Sequence, residues 1–459
     1  MEKAQKTSDK LGTEHISSLL LKQSVPAAMG FLVMSLYQIV DTFFVSRFIG
    51  ELAIGAITVV LPITFLISSF GMAIGVGGAS VLARALGEGD NTKAQKTFGN
   101  QITLTLILLG GFAILGFIFS EPLLALFGAN EQIMPFAKEY LYILLPGLPF
   151  LGWAMMSNNV IRSEGKPKVA MLTLVIPAVV NMVLDPILIY YLDMGISGAA
   201  WATTAGYFLS GGYTIWFFLS GKSELSITKN NLRLDAPIVR EISSIGSVTL
   251  LRQSMFSLLA IVLNNLLDKY GRIEYADTLG DAGGSHAIAI YGLIRGFTLF
   301  VAFPIIGIMQ GLMPIVSFNF GAKKWERVKE SINLSIKWTT VMSIVLFGLI
   351  AVFAEPLIGL FTKDAALLNH TPRALRLVFI SLPFMGLGFI GGAYFQAVGK
   401  TKPALFLTIA RQGLFMIPLM FVLPLFWVLD GVWIAMPIGE ILAGIVAGIW
   451  LYREVKKMN

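Results

Sequence analysis

Cysteine is absent from all 459 residues, which removes disulfides, thiolate zinc sites, iron–sulfur clusters and thiol nucleophiles together. Histidine is nearly absent: His15, His286 and His370 are scattered along the chain and leave no His-rich metal cluster. Charge is scarce as well. Only 13% of residues are Asp, Glu, Lys or Arg, against 56% hydrophobic, and the mean hydropathy is +0.76. A soluble chain of this length needs far more polar surface, so the composition describes a polytopic membrane protein. The first 23 residues lack the apolar core of a cleavable signal peptide, and the first membrane helix is expected to serve as insertion signal. Gly71–Gly78 is glycine-rich but lacks the Gly-Lys-Ser/Thr ending of a phosphate loop and lies inside an apolar run. It reads as a surface for close helix packing. With no sign of ATP hydrolysis, the energy source is expected to be an ion gradient or a partner.

What is present is a succession of apolar runs. Twelve spans are expected, near 24–47, 52–83, 95–119, 133–161, 168–192, 195–221, 241–267, 286–318, 331–353, 374–398, 403–429 and 431–451. With the N-terminus inside, 23 Lys and Arg fall in or beside cytoplasmic tails and loops, and 7 fall on the outer side. That bias places both termini in the cytoplasm of a multi-pass protein. The net charge of +7 therefore needs no nucleic-acid partner. Four cations remain within spans: Arg252, Arg295, Lys337 and Arg411. Arg252 and Lys337 can snorkel toward the cytoplasm.

The chain also repeats itself. Phe119–Phe127 matches Phe353–Phe361, 234 positions later, and the same offset relates Leu148–Phe150 to Leu382–Phe384, Gly165–Lys168 to Gly399–Lys402, and Gly87 to Gly321. Near the start of each half the better match, Ser24-Val25 with Ser247-Val248, gives 223. The second half thus carries about 11 extra residues, expected in an exposed Gly- and Asp-rich outer loop around Asp268–Ser285. Each half holds six spans, an even number, so the halves share one orientation. The expected fold is all-α integral membrane: twelve transmembrane helices as two six-helix lobes related by a pseudo-twofold axis along the membrane normal, V-shaped with a central cleft. The segments are a cytoplasmic tail (1–23), an N-lobe (24–221), a polar cytoplasmic linker (222–240), a C-lobe (241–451) and a second tail (452–459).

Two acids interrupt these runs. Asp41 and Asp185 each lie 17 residues past the apparent cytoplasmic edge of their span, at Ser24 and Lys168. At about 1.5 Å per residue both fall roughly 25 Å along their helices, hence at similar depth. A charge there costs several kcal/mol unless it pairs, protonates or holds an ion. Helical spacing puts Tyr37 and Gln38 with Asp41, and Asn181 with Asp185; Thr203 re-enters to a matching depth. Two carboxylates, an amide and a hydroxyl suit a Na⁺ ion, or a proton shared between coupled acids. Under the two offsets Asp41 corresponds to Asn264, Asp185 to Leu419 and Asn181 to Phe415, so the chemistry belongs to the first half. The plainer reading is that these acids hydrogen-bond helices together. Asn158 and Asn159 read equally as substrate-contacting amides and as interhelical glue. Glu440 reads as a second protonation site or as a partner of Arg411 or Arg295. Pro26, Pro177 and Pro186 mark static kinks or bending coupled to protonation.

Leu36–Val45, Gly75–Ser80 with Ala85–Gly87, Ile161–Gly165, Asn181–Pro186 and Gly198–Thr203 together resemble the multidrug and toxic compound extrusion (MATE) transporters, in particular the DinF-like prokaryotic branch. The resemblance spans nearly the whole chain. It implies a secondary active antiporter, not an enzyme, that exports drugs and organic cations in exchange for H⁺ or Na⁺ from a bacterial or archaeal inner membrane. No other cofactor is implied, and the expected partners are small amphipathic drugs and the lipid bilayer, with a monomer as the working unit. The branch's cation site maps onto Asp41, Asn181, Asp185 and Thr203; Tyr37 and Asn158 match positions tied to that site and to substrate. The other main branch has acids in the seventh and tenth spans. Here only Asp268 stands at the end of the seventh, and the tenth has none. A lipid-linked oligosaccharide flippase of the same superfamily is the alternative, and it calls for a basic cleft.

Overall fold

Inside lipid every backbone N–H and C=O must find its partner within the segment itself, so long apolar runs that cross a bilayer become helices. A computed structural model describes residues 7–458 of the chain; the first six residues of the expected N-terminal tail lie outside them. The described helices are α1 (Ile16–Phe48), α2 (Glu51–Glu88), α3 (Asn91–Ile118), α4 (Ser120–Leu126), α5 (Met134–Leu144), α6 (Leu148–Ser163), α7 (Pro167–Asp185) and α8 (Gly195–Leu219). They continue with α9 (Ala236–Glu274), α10 (Ala276–Leu279), α11 (Gly283–Gly321), α12 (Trp325–Gly359), α13 (Ala365–Phe379) and α14 (Leu382–Ala397). The last are α15 (Thr401–Ile409), α16 (Ile417–Val422) and α17 (Pro424–Lys456). Among the described residues nine helical stretches are long and apolar enough to cross a membrane, and α5 with α6 and α13 with α14 form two more spans, bent by 53° and 47°. The helix α8, long enough but diluted by Gly, Ser, Thr and aromatic residues, completes twelve. The repeated Leu-Pro-Phe motif marks both bends, where proline in the first turn of α6 and α14 has no N–H to carry on the hydrogen bonding of the preceding helix.

The repeat is written into the backbone. Gly89 and Lys323, 234 positions apart, both take the left-handed region (φ 78° and 57°), as do Gly165 and Gly399 (φ 75° and 77°). Phe119 and Phe353 both break a helix at the same offset. The contacts divide the chain into two compact units, one from the start to Leu250 together with Ser317–Lys324, the other Leu251–Val316 with Trp325 onward. In the first unit α2 packs on α6, and α7 lies between α1 and α8. Glycines of α2 permit this: a Cβ at Gly71 would collide with the backbone of Gly152, and one at Gly75 with Met156. Gly87 abuts the Phe318 carbonyl while Gly321 abuts that of Arg84, a reciprocal pair at the repeat offset. In the second unit a core of Leu263, Leu267, Ile290, Ile294, Ala354 and Trp433 joins α9, α11, α12 and α17.

One expectation changes, and two segments gain detail. The 222–240 linker is fastened to α3: Thr103 Oγ1 donates to the Leu232 carbonyl at 2.7 Å, and the Asp235 N–H donates to Asn100 Oδ1 at 2.7 Å. The 268–285 stretch is mostly helical. Asp268 pairs with Arg272 one turn on at 3.1 Å, and Gly271, Gly283 and Gly284 sit where α9 and α11 approach too closely for a side chain. There, glycine serves helix crossing and not a loop. Finally, α1 begins at Ile16, eight residues before the expected span, after a short 3-10 turn at Thr7–Gly12.

Candidate functional site

The first unit brings the two acids together. Their carboxyl groups lie within hydrogen-bonding reach of one another, so the matched depths read from sequence become a contact between α1 and α7. Asp185 is the last residue of α7. Pro186 follows, offers no N–H, and opens a π-helical turn over Pro186–Tyr191. Such a widened turn re-aims the side chains beside it and recurs at functional sites. Asp185 is fully buried, whereas Asp41 is half-buried.

One turn before Asp185, buried Asn181 donates from Nδ2 to Thr203 Oγ1 on α8 at 3.1 Å. Both carboxyl oxygens of Asp185 and the Asn181 Oδ1 are buried with no donor among the described residues. The Tyr37 ring, a turn before Asp41, is close enough for its hydroxyl to feel both acids. Two buried tyrosines complete the wall: Tyr140 of α5, in reach of Thr203, and Tyr207 of α8, beside Tyr37 and Tyr140. Sequence reasoning missed both. Tyr207 lies one helical turn from Thr203, a signal that was available; nothing in the sequence around Tyr140 sets it apart from a packing residue. Two carboxyl groups in contact without donors are stable only when a proton or small cation neutralises them. Among the described residues no group of three or more His, Asp or Glu gathers to hold a metal, so a bound cation would rely on these two acids and neutral oxygens.

The remaining candidates lie elsewhere. Gln38 is exposed on α1. Asn158 is buried between α6 and α7: its Nδ2 donates to the Ala170 carbonyl at 2.6 Å and to Thr173 Oγ1 at 2.8 Å, and its Oδ1 accepts from Arg162 Nε at 3.0 Å. That spends the amide on joining helices. Asn159, also buried, donates to the Met155 carbonyl at 2.9 Å. In the second unit Glu440 accepts from Arg411 Nε at 2.8 Å. Arg252 Nη2 donates to Gln396 Oε1 at 2.7 Å, near the end of α14. His286 and His370, far apart in sequence, meet at 3.0 Å beside Tyr275.

A twelve-span helical bundle with an intramembrane acid pair defines a polytopic membrane transporter. The family model described as MatE matches residues 26–187 and 278–422. The multidrug export protein MepA of Staphylococcus saprophyticus is 29% identical over 94% of this chain and 92% of its own. The FAD transporter of Shewanella oneidensis is 28% identical over 94% and 93%. Among solved structures, a multidrug resistance MATE family transporter of the MOP superfamily in an outward-facing conformation superposes with a TM-score of 0.91 at 25% identity, covering 100% of this chain and 99% of that one. A MOP superfamily transporter from Pyrococcus furiosus, whose binding pocket of reverse polarity suggests a different function, gives 0.90 at 25% identity over 100% and 99%. The chain belongs to the MatE family of membrane transporters, and membership supports efflux as its general activity.

Proposed function

We propose that the chain exports amphipathic drugs and organic cations across a bacterial or archaeal inner membrane, as a monomer with both termini cytoplasmic, in exchange for H⁺ or Na⁺. The observation that carries this reading is the donor-less oxygen set of Asp185 and Asn181 facing Asp41. A cation arriving there from outside satisfies those oxygens and ties α1, α7 and α8 together. Pro26 and Pro177 lie inside α1 and α7, where interrupted hydrogen bonding lets a helix bend at low cost. Binding of the ion then favours a helix arrangement that holds drug less well, and drug leaves outward. Antiport is the reciprocal of that antagonism.

The similarity to MepA supports multidrug cargo. The similarity to the FAD transporter, equal in coverage, supports a second reading in which the cargo includes an aromatic dinucleotide. A lipid-linked oligosaccharide cargo has less support, because the first unit's site is acidic. The test is drug efflux from proteoliposomes under separately imposed pH and sodium gradients, with FAD as a further cargo. Asp41→Asn and Asp185→Asn should each abolish flux and drug resistance at normal expression. Full flux in both variants overturns the coupling assignment.

A further inference from the structure

The second unit holds a pocket of its own, about 400 Å³ including its open mouth. Arg252 of α9 and Arg411 of the π-helical stretch Ala410–Met416 both line it, with Phe256, Phe389, Gly388 and Gly392. The Arg411 guanidinium carbon stands 4.3 Å from the centre of the Phe389 ring. Its Nε is committed to Glu440, and Arg252 is bonded to the neutral amide of Gln396. The two guanidiniums are near enough to repel each other. One carboxylate therefore answers two fixed cations, leaving a formal surplus of one positive charge in an apolar bundle, where an unanswered charge is costly.

The space is specific to this unit. A Cβ built on Gly392 meets nothing within 4 Å, and one on Gly388 reaches only the Glu440 carboxylate, at 3.9 Å. In the first repeat the counterpart of Gly392 is Asn158, which fills the gap by bonding Thr173. The counterpart of Arg411 is Pro177, and that of Glu440 is Tyr207, because the left-handed Gly195 and Val428 and the packed pairs Gly198 and Gly431, Gly211 and Gly444 lie 233 apart. A hollow opened by two glycines, walled by two phenylalanines and carrying two guanidiniums is a built recess and not a packing defect. Guanidinium forks match carboxylate and phosphate oxygens, and the rings match a flat apolar body.

We infer that this recess binds the anionic group of an amphipathic aromatic ligand, a carboxylate or a phosphate, so that the protein accepts anions and zwitterions besides cations. The binding claim stands apart from the coupling site, and only its transport consequence rests on the efflux reading. The probe is a fluorescent xanthene dye with a free carboxylate and its ethyl ester, titrated by polarisation against the full chain in neutral-lipid nanodiscs. The acid should bind about tenfold more tightly than the ester, the worth of one charge-assisted hydrogen bond. Arg252→Gln should erase that preference while keeping ester affinity, which reports an intact fold. Gly392→Leu should weaken both dyes, and Asp41→Asn should leave the preference unchanged. Repeating the titration in discs of anionic lipid separates the two sources of such a group: loss of the preference there identifies a lipid headgroup as occupant and still supports the anion site. Equal affinity for acid and ester in the unaltered protein, or a preference that survives Arg252→Gln, overturns the inference.

Discussion

Replacing Asp185 by Asn should separate stability from coupling. In the native protein both Asp185 oxygens are buried without a donor among the described residues, and a second carboxyl lies within hydrogen-bonding reach. A buried polar group left unsatisfied costs about 1–3 kcal/mol, and more when charged. The amide is nearly isosteric, removes one charge and brings an N–H to Asp41; a hydrogen bond to a charged acceptor is worth about 1.5–3 kcal/mol. The variant should therefore fold at least as stably as the native protein, by up to about 3 kcal/mol. The native site should instead gain stability from its coupling ion, about 2.7 kcal/mol at a hundredfold excess over Kd. Thermal denaturation of the purified chain is measured across a sodium series at fixed pH and a pH series without sodium. The native Tm should climb along one of these series. Asp185→Asn should begin high, stay flat along both, and show no drug flux in liposomes. A variant that melts well below the native protein while its Tm still follows the ion would refute the reasoning, because the carboxylate would then be a structural hydrogen-bonding group.

Other substitutions test the packing and the second unit. Gly87→Ala and Gly321→Ala each drive a methyl into a facing carbonyl and should lower Tm by several degrees, whereas Gly110→Ala, with open space beside it, should leave Tm unchanged or slightly raised. Asn158→Ala strips the bridge to Ala170 and Thr173 and the acceptor of buried Arg162; it should cost about 2–4 kcal/mol in denaturation, and surviving protein should keep its drug Kd in equilibrium binding. Glu440→Gln strands Arg411 among apolar side chains and should cost about 3–5 kcal/mol, while Glu440→Gln with Arg411→Gln should cost less than either single change, read by thermal melts of all three.

The twelve-span organisation was legible because the bilayer enforces one rule, and a 20-residue apolar run obeys it visibly. The acid pair was legible for the opposite reason: a carboxylate in such a run has no bland explanation, and counting residues from the cytoplasmic edge placed both at one depth. Tyr140 carried no such signal, since tyrosine in an apolar helix is ordinary, and Tyr207 carried only its spacing of one turn from Thr203. Asn158 stayed ambiguous because an amide suits ligand and helix partner alike, and only its three hydrogen bonds decide. The 268–285 stretch misled through composition: glycine marks turns, yet it equally marks helices in backbone contact, and sequence does not distinguish the two.

The same geometry corrects the pairing of the two halves by one residue. A π-helical turn holds one residue more than the α-helical turn it replaces. The first unit has its π turn at Pro186–Tyr191 and the second at Ala410–Met416, positions that are not equivalent. Between them the structural register slips, so Asp185 corresponds to Met420 and Asn181 to Met416, not to Leu419 and Phe415. Burial agrees: Met420 and Met416 are buried, and Leu419 and Phe415 are only partly so. The acids therefore still lack polar counterparts, but the reason is sharper. At the two positions facing inward the repeats differ as carboxylate and amide against thioether, and beside them they differ as Pro177 and Tyr207 against Arg411 and Glu440. Each unit thus carries its buried charged side chains beside a π turn that the other unit has at a different place.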